Sequence, residues 1–215
     1  MLRLHSYWRS GAAHRVRIAL ELKGAPYELA IVDLRQSEQK SDAFRALNPQ
    51  GLVPMLEYRG ARITQSIAMM EWLEETFPKP PLLPSDPTLR AHVRAAAAVV
   101  ACDVHPLGNL RVLQAVRGLG ADDAGVARWA TTWIEAGFVA LEGLLESAGA
   151  RGPFAFGEEP GFADCAIAPQ TFAAQDRYGF DLSRFPRLAA LDAAANAHPA
   201  FIAAHPRNQP DAPDA

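Results

Sequence analysis

Phe77-Pro78-Lys79-Pro80-Pro81-Leu82-Leu83-Pro84-Ser85-Asp86-Pro87 places five prolines in eleven residues. Proline lacks a backbone N–H and fixes φ, so this stretch cannot lie inside a helix or a central strand. It reads as a linker, and the sequence changes character across it. Downstream, the chain is Ala-rich, and 88–118, 123–148, 162–175 and 186–197 carry a 3.6-residue apolar period with almost no strand signal. Upstream, Leu2 to Tyr7 alternates as a strand, and a helix through Val16, Ile18 and Leu20 stops at Lys23-Gly24. Tyr27 to Leu34 reads as a second strand, and 35–50 as a loop holding at most a short helix at Asp42 to Leu47. Val53 to Tyr58 and Ala61 to Ile63 form a hairpin about Arg59-Gly60, and a helix runs from Ser66 until Pro78 ends it. The expected architecture is a β-α-β then β-β-α unit over 1–80 and an all-helical unit over 88–215, with Pro206 to Ala215 as a loose tail.

The 215-residue chain is 49% hydrophobic and 21% charged, which allows a sizeable core and argues against disorder. A formal charge of −3 is too near neutral for a nucleic-acid coat, although a local basic groove for small anions remains open. Cys102 and Cys165 form no CxxC pair, no repeated zinc-ligand spacing and no secreted disulfide scaffold. A reducing, cytosolic compartment and no metal are expected, with both thiols inert and buried in apolar helices. Met1 to His5 shows no signal peptide, and no apolar run of about 18 residues is present to span a membrane.

Three short motifs could carry chemistry. Ser10 stands where the first strand gives way to a helix, so its hydroxyl and the amides of Gly11 and Ala12 meet the positive end of a helix dipole, which favours an anion such as a thiolate. Taken alone, Ser10 is equally an ordinary N-cap. In Leu52-Val53-Pro54 the proline either begins an edge strand or forms a cis bond that exposes the Val53 backbone to a peptide-like ligand. Gln65-Ser66 opens another helix, a place suited to a carboxylate or simply to a cap.

The order and spacing of these motifs, together with others, resemble a known family. Tyr7-Trp8-Arg9-Ser10, Arg15-Val16-Arg17-Ile18-Ala19-Leu20, Leu22-Lys23-Gly24, Leu47-Asn48-Pro49-Gln50, Leu52-Val53-Pro54 and Gln65-Ser66 are similar to the cytosolic glutathione transferases of the zeta class, the group that includes maleylacetoacetate isomerase. Glu71 to Glu75, Leu82-Leu83-Pro84, His105-Pro106, Asn109, Ala163-Asp164, Ala168-Pro169-Gln170 and Asn208-Gln209-Pro210-Asp211 extend the likeness over nearly the whole chain. The resemblance implies a thioredoxin-like α/β N-terminal domain that binds glutathione and an all-α C-terminal domain that shapes the electrophile site. It further implies a cis bond before Pro54, Val53 pairing with the cysteinyl part of glutathione, Gln65-Ser66 holding its γ-glutamyl carboxylate, and Ser10 beside the sulfur. Gln50 joins the glutathione set. His105 and Asn109, one helical turn apart at the His105-Pro106 kink, either reach glutathione or substrate from the second domain or fix a bend in one helix. A homodimer is implied as well.

Two departures from the family pattern stand out, the first bearing on substrate. The family signature Ser-Ser-Cys-x-Trp is replaced here by Ser10-Gly11-Ala12-Ala13-His14, a variant that resembles the bacterial glutathione-dependent maleylpyruvate isomerases. The late helix carries Gly161 where the family has Ser or Thr three residues before its Asp, here Asp164. Arg9, Arg111 and Arg177 match arginines of the maleylpyruvate isomerases that would hold substrate carboxylates, a task that paired guanidinium donors suit. His14 is read as a packing or solvent-facing residue rather than a general base. The expected activity is cis–trans isomerisation of a small dicarboxylic keto acid, maleylacetoacetate or maleylpyruvate, with glutathione as cofactor. A broad glutathione transferase and a non-catalytic interaction module of the same fold are the alternatives; the module would have lost the Ser10, Val53-Pro54 and Gln65-Ser66 set, which this chain keeps.

Overall fold

Leu2 and Leu4 alternate with Arg3 and His5, and this two-residue period becomes strand β1 (Leu2–Ser6). In the computed structural model, which describes residues 1–213, β1 pairs in parallel with β2 (Tyr27–Ile31), Leu2 opposite Tyr27. On its other side it pairs antiparallel with β3 (Met55–Tyr58), Leu2 opposite Tyr58, and β3 pairs antiparallel with β4 (Ala61–Thr64). The sheet order is β2-β1-β3-β4. Arg59 and Gly60 join β3 to β4 with φ of 48° and 85°, the backbone of a primed two-residue turn whose twist matches its strands.

Two of these strands are shorter than the pattern suggests. β2 stops at Ile31 because Asp33 turns the chain: its carboxylate accepts from the Arg35 backbone N–H at 2.8 Å. β3 starts after Pro54, which has no N–H for the ladder.

Helix α1 (Gly11–Leu22) is buried on more than one side, with Val16, Ile18 and Leu20 all inaccessible, and it packs on α3 (Ser66–Thr76), which buries Met69, Met70 and Leu73. Gly24 N donates to the Glu21 carbonyl and Ala25 N to Leu20, both at 3.0 Å, closing α1 as the Lys23-Gly24 signal predicts. The short helix α2 (Asp42–Leu47) is capped by Ser41, and a 3₁₀ turn at Glu38–Lys40 precedes it. Both Val53-Pro54 and Lys79-Pro80 are cis.

Contacts divide the chain into two compact units: Met1–Pro81 with the segment from Ala197 onward, and Leu82–Asn196. The end of the chain therefore belongs with the α/β unit, whereas the sequence reading grouped all of 88–215 with the helices. Nor is this segment loose where it is described. Helix α9 (Pro199–Ala204) packs on α1, and Gln209 is buried with its side-chain amide donating to the Ala203 and His205 carbonyls. The last two positions of the expected tail lie outside the described residues.

The helical unit departs from its periodicity at one place. The stretch read as continuous over 88–118 is α4 (Pro87–Ala98), a π-helical segment (Val99–Val104), a turn, and α5 (Leu110–Gly118). The wider π winding turns Cys102 outward, so this thiol is exposed and not buried as expected; Cys165 is buried. Helix α6 (Asp123–Ser147) buries Val126, Ala130, Ile134, Phe138, Leu141 and Leu145 along one stripe. Gly137, on the same face, meets the π segment at Val104. Helices α7 (Phe162–Tyr178) and α8 (Pro186–Ala197) follow, with a 3₁₀ turn at Leu182–Arg184 between them.

At the start of α7, Asp164 accepts from the backbone N–H of Gly161 and of Ala155, each at 2.8 Å. Burial pushes its carboxyl up to about 6, against those two hydrogen bonds. Gly161 caps the helix in place of a hydroxyl residue, and a Cβ there would lie 2.9 Å from the Leu82 carbonyl oxygen. The close approach of that backbone accounts for the glycine.

Candidate functional site

In the α/β unit the candidate residues are joined by a closed circuit of contacts. Ser10 is the N-cap of α1: its Oγ accepts from Ala13 N at 3.2 Å, and its carbonyl accepts from His14 N at 2.9 Å. Helical pairing thus begins beyond Gly11 and Ala12, whose amides stand at the open end of the helix. One turn further on, Arg15 Nη1 donates to Ser66 Oγ at 3.3 Å, tying the start of α1 to the start of α3. Gln65, the N-cap of α3, sits at φ 67°, ψ 115°, a strained backbone for a residue with a side chain.

The circuit continues from Gln65. Its Nε2 donates to Gln50 Oε1 at 2.7 Å, while Gln50 N donates to Asn48 Oδ1 at 3.1 Å and Asn48 Nδ2 to the Leu52 carbonyl at 2.7 Å. Val53 follows, buried in a cluster with Tyr7, Val32 and Phe44 against which Trp8 packs. Trp8 leads back to Ser10 through Arg9, which is exposed and lies 5.9 Å above the Trp8 ring. Ser10, Gly11, Ala12, Gln50, Val53, Pro54, Gln65 and Ser66 are thereby held on one connected framework.

His14 lies under this framework. It is buried against the His205 ring, and burial, with Arg17, His205 and Arg15 adding to it, holds the imidazole well below its ordinary pKa. It is a neutral packing residue. Two further residues went unread in the sequence. Arg15 is only 2% exposed, and Gln39, whose backbone carbonyl crowds Gly51, has a buried Oε1 that accepts no hydrogen bond among the described residues. The available signal for Arg15 was its place within an apolar helical run, where an arginine needs a partner.

In the helical unit, His105 closes the π segment, its N–H donating to the Val100 carbonyl at 2.8 Å, and Asn109 is the N-cap of α5, accepting from Arg111 N at 3.2 Å. The two therefore flank a turn between helices, which removes the alternative of a bend inside one helix. Arg111 is exposed on the first turn of α5. Arg177 is exposed in the last turn of α7, which runs three residues past the expected end at 175. Among the described residues, no helix is long and apolar enough to cross a membrane, and no group of three or more His, Cys, Asp or Glu could hold a metal ion.

A thioredoxin-like sheet with helix starts gathered beside a cis-proline strand entry, followed by a helical domain, defines a class. A family model described as the N-terminal domain of glutathione S-transferase matches residues 9–76, and one described as its C-terminal domain matches residues 123–191. The chain belongs to the glutathione S-transferase family, in its zeta class. It is 48% identical over 211 residues to the maleylpyruvate isomerase of a Ralstonia species, covering 98% of this chain and 99% of that one. A solved holo structure of maleylpyruvate isomerase, described as a bacterial zeta-class glutathione S-transferase, matches with a TM-score of 0.95 at 48% identity, covering 98% of this chain and 100% of that one. The maleylacetoacetate isomerase of Anaeromyxobacter dehalogenans, solved with glutathione bound in its active site, matches with a TM-score of 0.88 at 43% identity over 99% of this chain and 98% of that one.

Proposed function

We propose that the chain is a cytoplasmic, homodimeric, glutathione-dependent isomerase that takes maleylpyruvate or maleylacetoacetate to the fumaryl isomer in the breakdown of aromatic compounds. The observation that carries the reading is the Arg15–Ser66 hydrogen bond, which couples two helix N-termini into one framework with Ser10 and Gln65. Two positive helix ends suit a ligand bearing both a thiolate and a carboxylate. Full-length likeness to maleylpyruvate and maleylacetoacetate isomerases supports the substrate class.

When bound, glutathione supplies a thiol that adds reversibly to the conjugated double bond, making it a single bond free to rotate. The chain's residues do the rest. Ser10 Oγ already accepts from Ala13 N, so its O–H is left to donate to a sulfur anion, with the Gly11 and Ala12 amides beside it. Gln65 and Ser66 take the γ-glutamyl carboxylate, Val53 pairs through its backbone next to Pro54, and Gln50 orients Gln65; His105 and Asn109 also contact glutathione. Arg9 and Arg111 oppose charge that develops on the substrate carbonyl, and Arg177 takes the distal carboxylate.

Turnover of each acid, followed by ultraviolet absorbance with catalytic glutathione and without it, tests the reading. Conversion that requires glutathione without consuming it is expected. Failure on both acids, with conjugation of a generic electrophile intact, would replace the isomerase by a broad transferase.

A further inference from the structure

The loop that delivers Ser10 to the start of α1 is gripped on both sides of one residue. Trp8 N–H donates to Asp211 Oδ2 at 2.8 Å, and the Trp8 carbonyl accepts from Arg17 Nη2 at 3.1 Å. Arg17 is 0% exposed, and its remaining donors reach Ser6 Oγ at 3.1 Å and the Ala204 carbonyl at 3.0 Å. A single guanidinium thus ties β1, the loop and α9 together. A buried guanidinium is costly unless it is hydrogen-bonded and its charge is offset; here each of its three nitrogens has an acceptor and the Asp211 carboxylate supplies opposite charge nearby.

Asp211 does not arrive by chance. Helix α9 has six residues, too few to stand by itself. The side chains that follow it cap its end: Asn208 Nδ2 donates to the Ile202 carbonyl at 2.7 Å, and Gln209 Nε2 donates to Ala203 and His205, each at 3.0 Å. Those bonds satisfy the terminal carbonyls of α9 and set where the chain runs next, which is across the loop, with Asp211 on Trp8.

We propose that Asp211, acting with Arg17, is a positioning residue: the C-terminal segment is a strap that fixes the two peptide groups flanking Trp8 and so the direction of Arg9 and the Ser10 hydroxyl. The strap rests on the functional reading above only for its effect on catalysis. Its mechanical part is a statement about the loop. Asp211→Asn keeps an acceptor oxygen for Trp8 N–H, while Asp211→Ala keeps none; both remove the negative charge beside Arg17 equally, so the difference between them reports the hydrogen bond, and neither alters the Ser10 cap or the core.

The test compares full-length wild type, Asp211→Ala and Asp211→Asn. Amide hydrogen exchange without ligand is expected to quicken about tenfold or more at Tyr7 to Ser10 in Asp211→Ala, since a charge-assisted hydrogen bond is lost. Peptides from Leu82–Asn196 are expected to stay unchanged, and Asp211→Asn to recover most of the protection. In parallel, the ultraviolet absorbance of bound glutathione thiolate should titrate at higher pH in Asp211→Ala, and kcat should fall about tenfold with KM for the acid within about twofold. Unchanged loop exchange and unchanged kcat in Asp211→Ala would overturn the proposal. So would loosening spread evenly over the first unit and equal in the Asn variant, the pattern of a merely structural role. If the loop loosens as expected but the wild type itself shows no glutathione-dependent turnover, the functional reading falls and the strap stands.

Discussion

Gly137→Ala should act as a wedge between α6 and the π segment. A Cβ on Gly137 would sit 2.0 Å from Val104 Cγ2, against the roughly 3.5–4.0 Å of an ordinary carbon contact. One side must therefore retreat by about 1.5–2 Å, in a core close-packed enough to resist it. Overpacking of this size costs about 3 kcal/mol, offset by the roughly 1 kcal/mol that alanine gains over glycine inside a helix, for a net loss of about 2 kcal/mol. Val104→Ala alone removes both γ-carbons and leaves a void, costing about 2 kcal/mol. In the double variant the new methyl occupies the space the valine vacated, so the combined loss should be about 1 kcal/mol instead of the roughly 4 kcal/mol expected of independent sites. Urea unfolding of the four proteins measures this coupling directly. Additivity to within about 0.5 kcal/mol would show that the contact between Gly137 and Val104 does not hold the π segment, and the reasoning would fail.

Arg111→Ala, on an exposed turn, should cut isomerisation about a hundredfold while leaving glutathione affinity within about twofold; equal losses in both, read by calorimetry and turnover, would remove Arg111 from the substrate. Ser10→Ala should cost about 1 kcal/mol of stability through the lost cap and about 10²-fold in kcat through the lost donor, so a melting shift without a kcat loss would leave Ser10 as a cap alone. Asp164 is raised to about 6 in the fold from an ordinary carboxylate value, so the folded state binds the extra proton and stability from this group falls as pH climbs from about 4 to about 6, by about 3 kcal/mol. Urea midpoints across that range should lose this slope in Asp164→Asn. His14 has the opposite sign: its folded pKa is depressed, so stability is lost as pH drops below about 6.5, and His14→Gln should flatten that limb.

Much of the α/β unit could be read from the chain because its signals are local. The alternation from Leu2, the stop at Lys23-Gly24 and the proline cluster from Pro78 each act within a few residues, and the elements follow them. Signals that depend on distant partners stayed hidden. Arg15 and Arg17 look like solvated charges until Ser66, Trp8 and Ala204 are brought to them. The π segment could not be seen because Val99, Val100 and Ala101 are apolar on any face, so one extra residue per turn leaves no mark on the pattern, and Cys102 was consequently assigned to the wrong side. The Pro- and Asp-rich composition after Pro206 suggested a loose tail. It holds instead because Asn208, Gln209 and Asp211 direct their side chains to backbone groups, a use of polar residues that composition cannot distinguish from solvation.

The cap that Ser10 forms and the anion role proposed for it are compatible in one arrangement. A cap uses the lone pairs of the hydroxyl, and stabilising an anion uses its proton, so Ala13 N–H fixing Oγ orients the group that must donate. On the proposed function, this arrangement lets Gly11 and Ala12 stand in place of the family's Ser and Cys. The helix start contributes backbone amides whatever the side chains are, provided Ser10 is held in place, and Ser10 is held by its own cap on one side and by its N–H donating to the Tyr7 carbonyl at 3.0 Å on the other. Replacing Gly11 by Ser should accordingly leave kcat within about threefold, because it alters neither the amide nor the cap. A larger gain in turnover would mean that the amides and Ser10 together fall short and that the missing hydroxyl was part of the anion site.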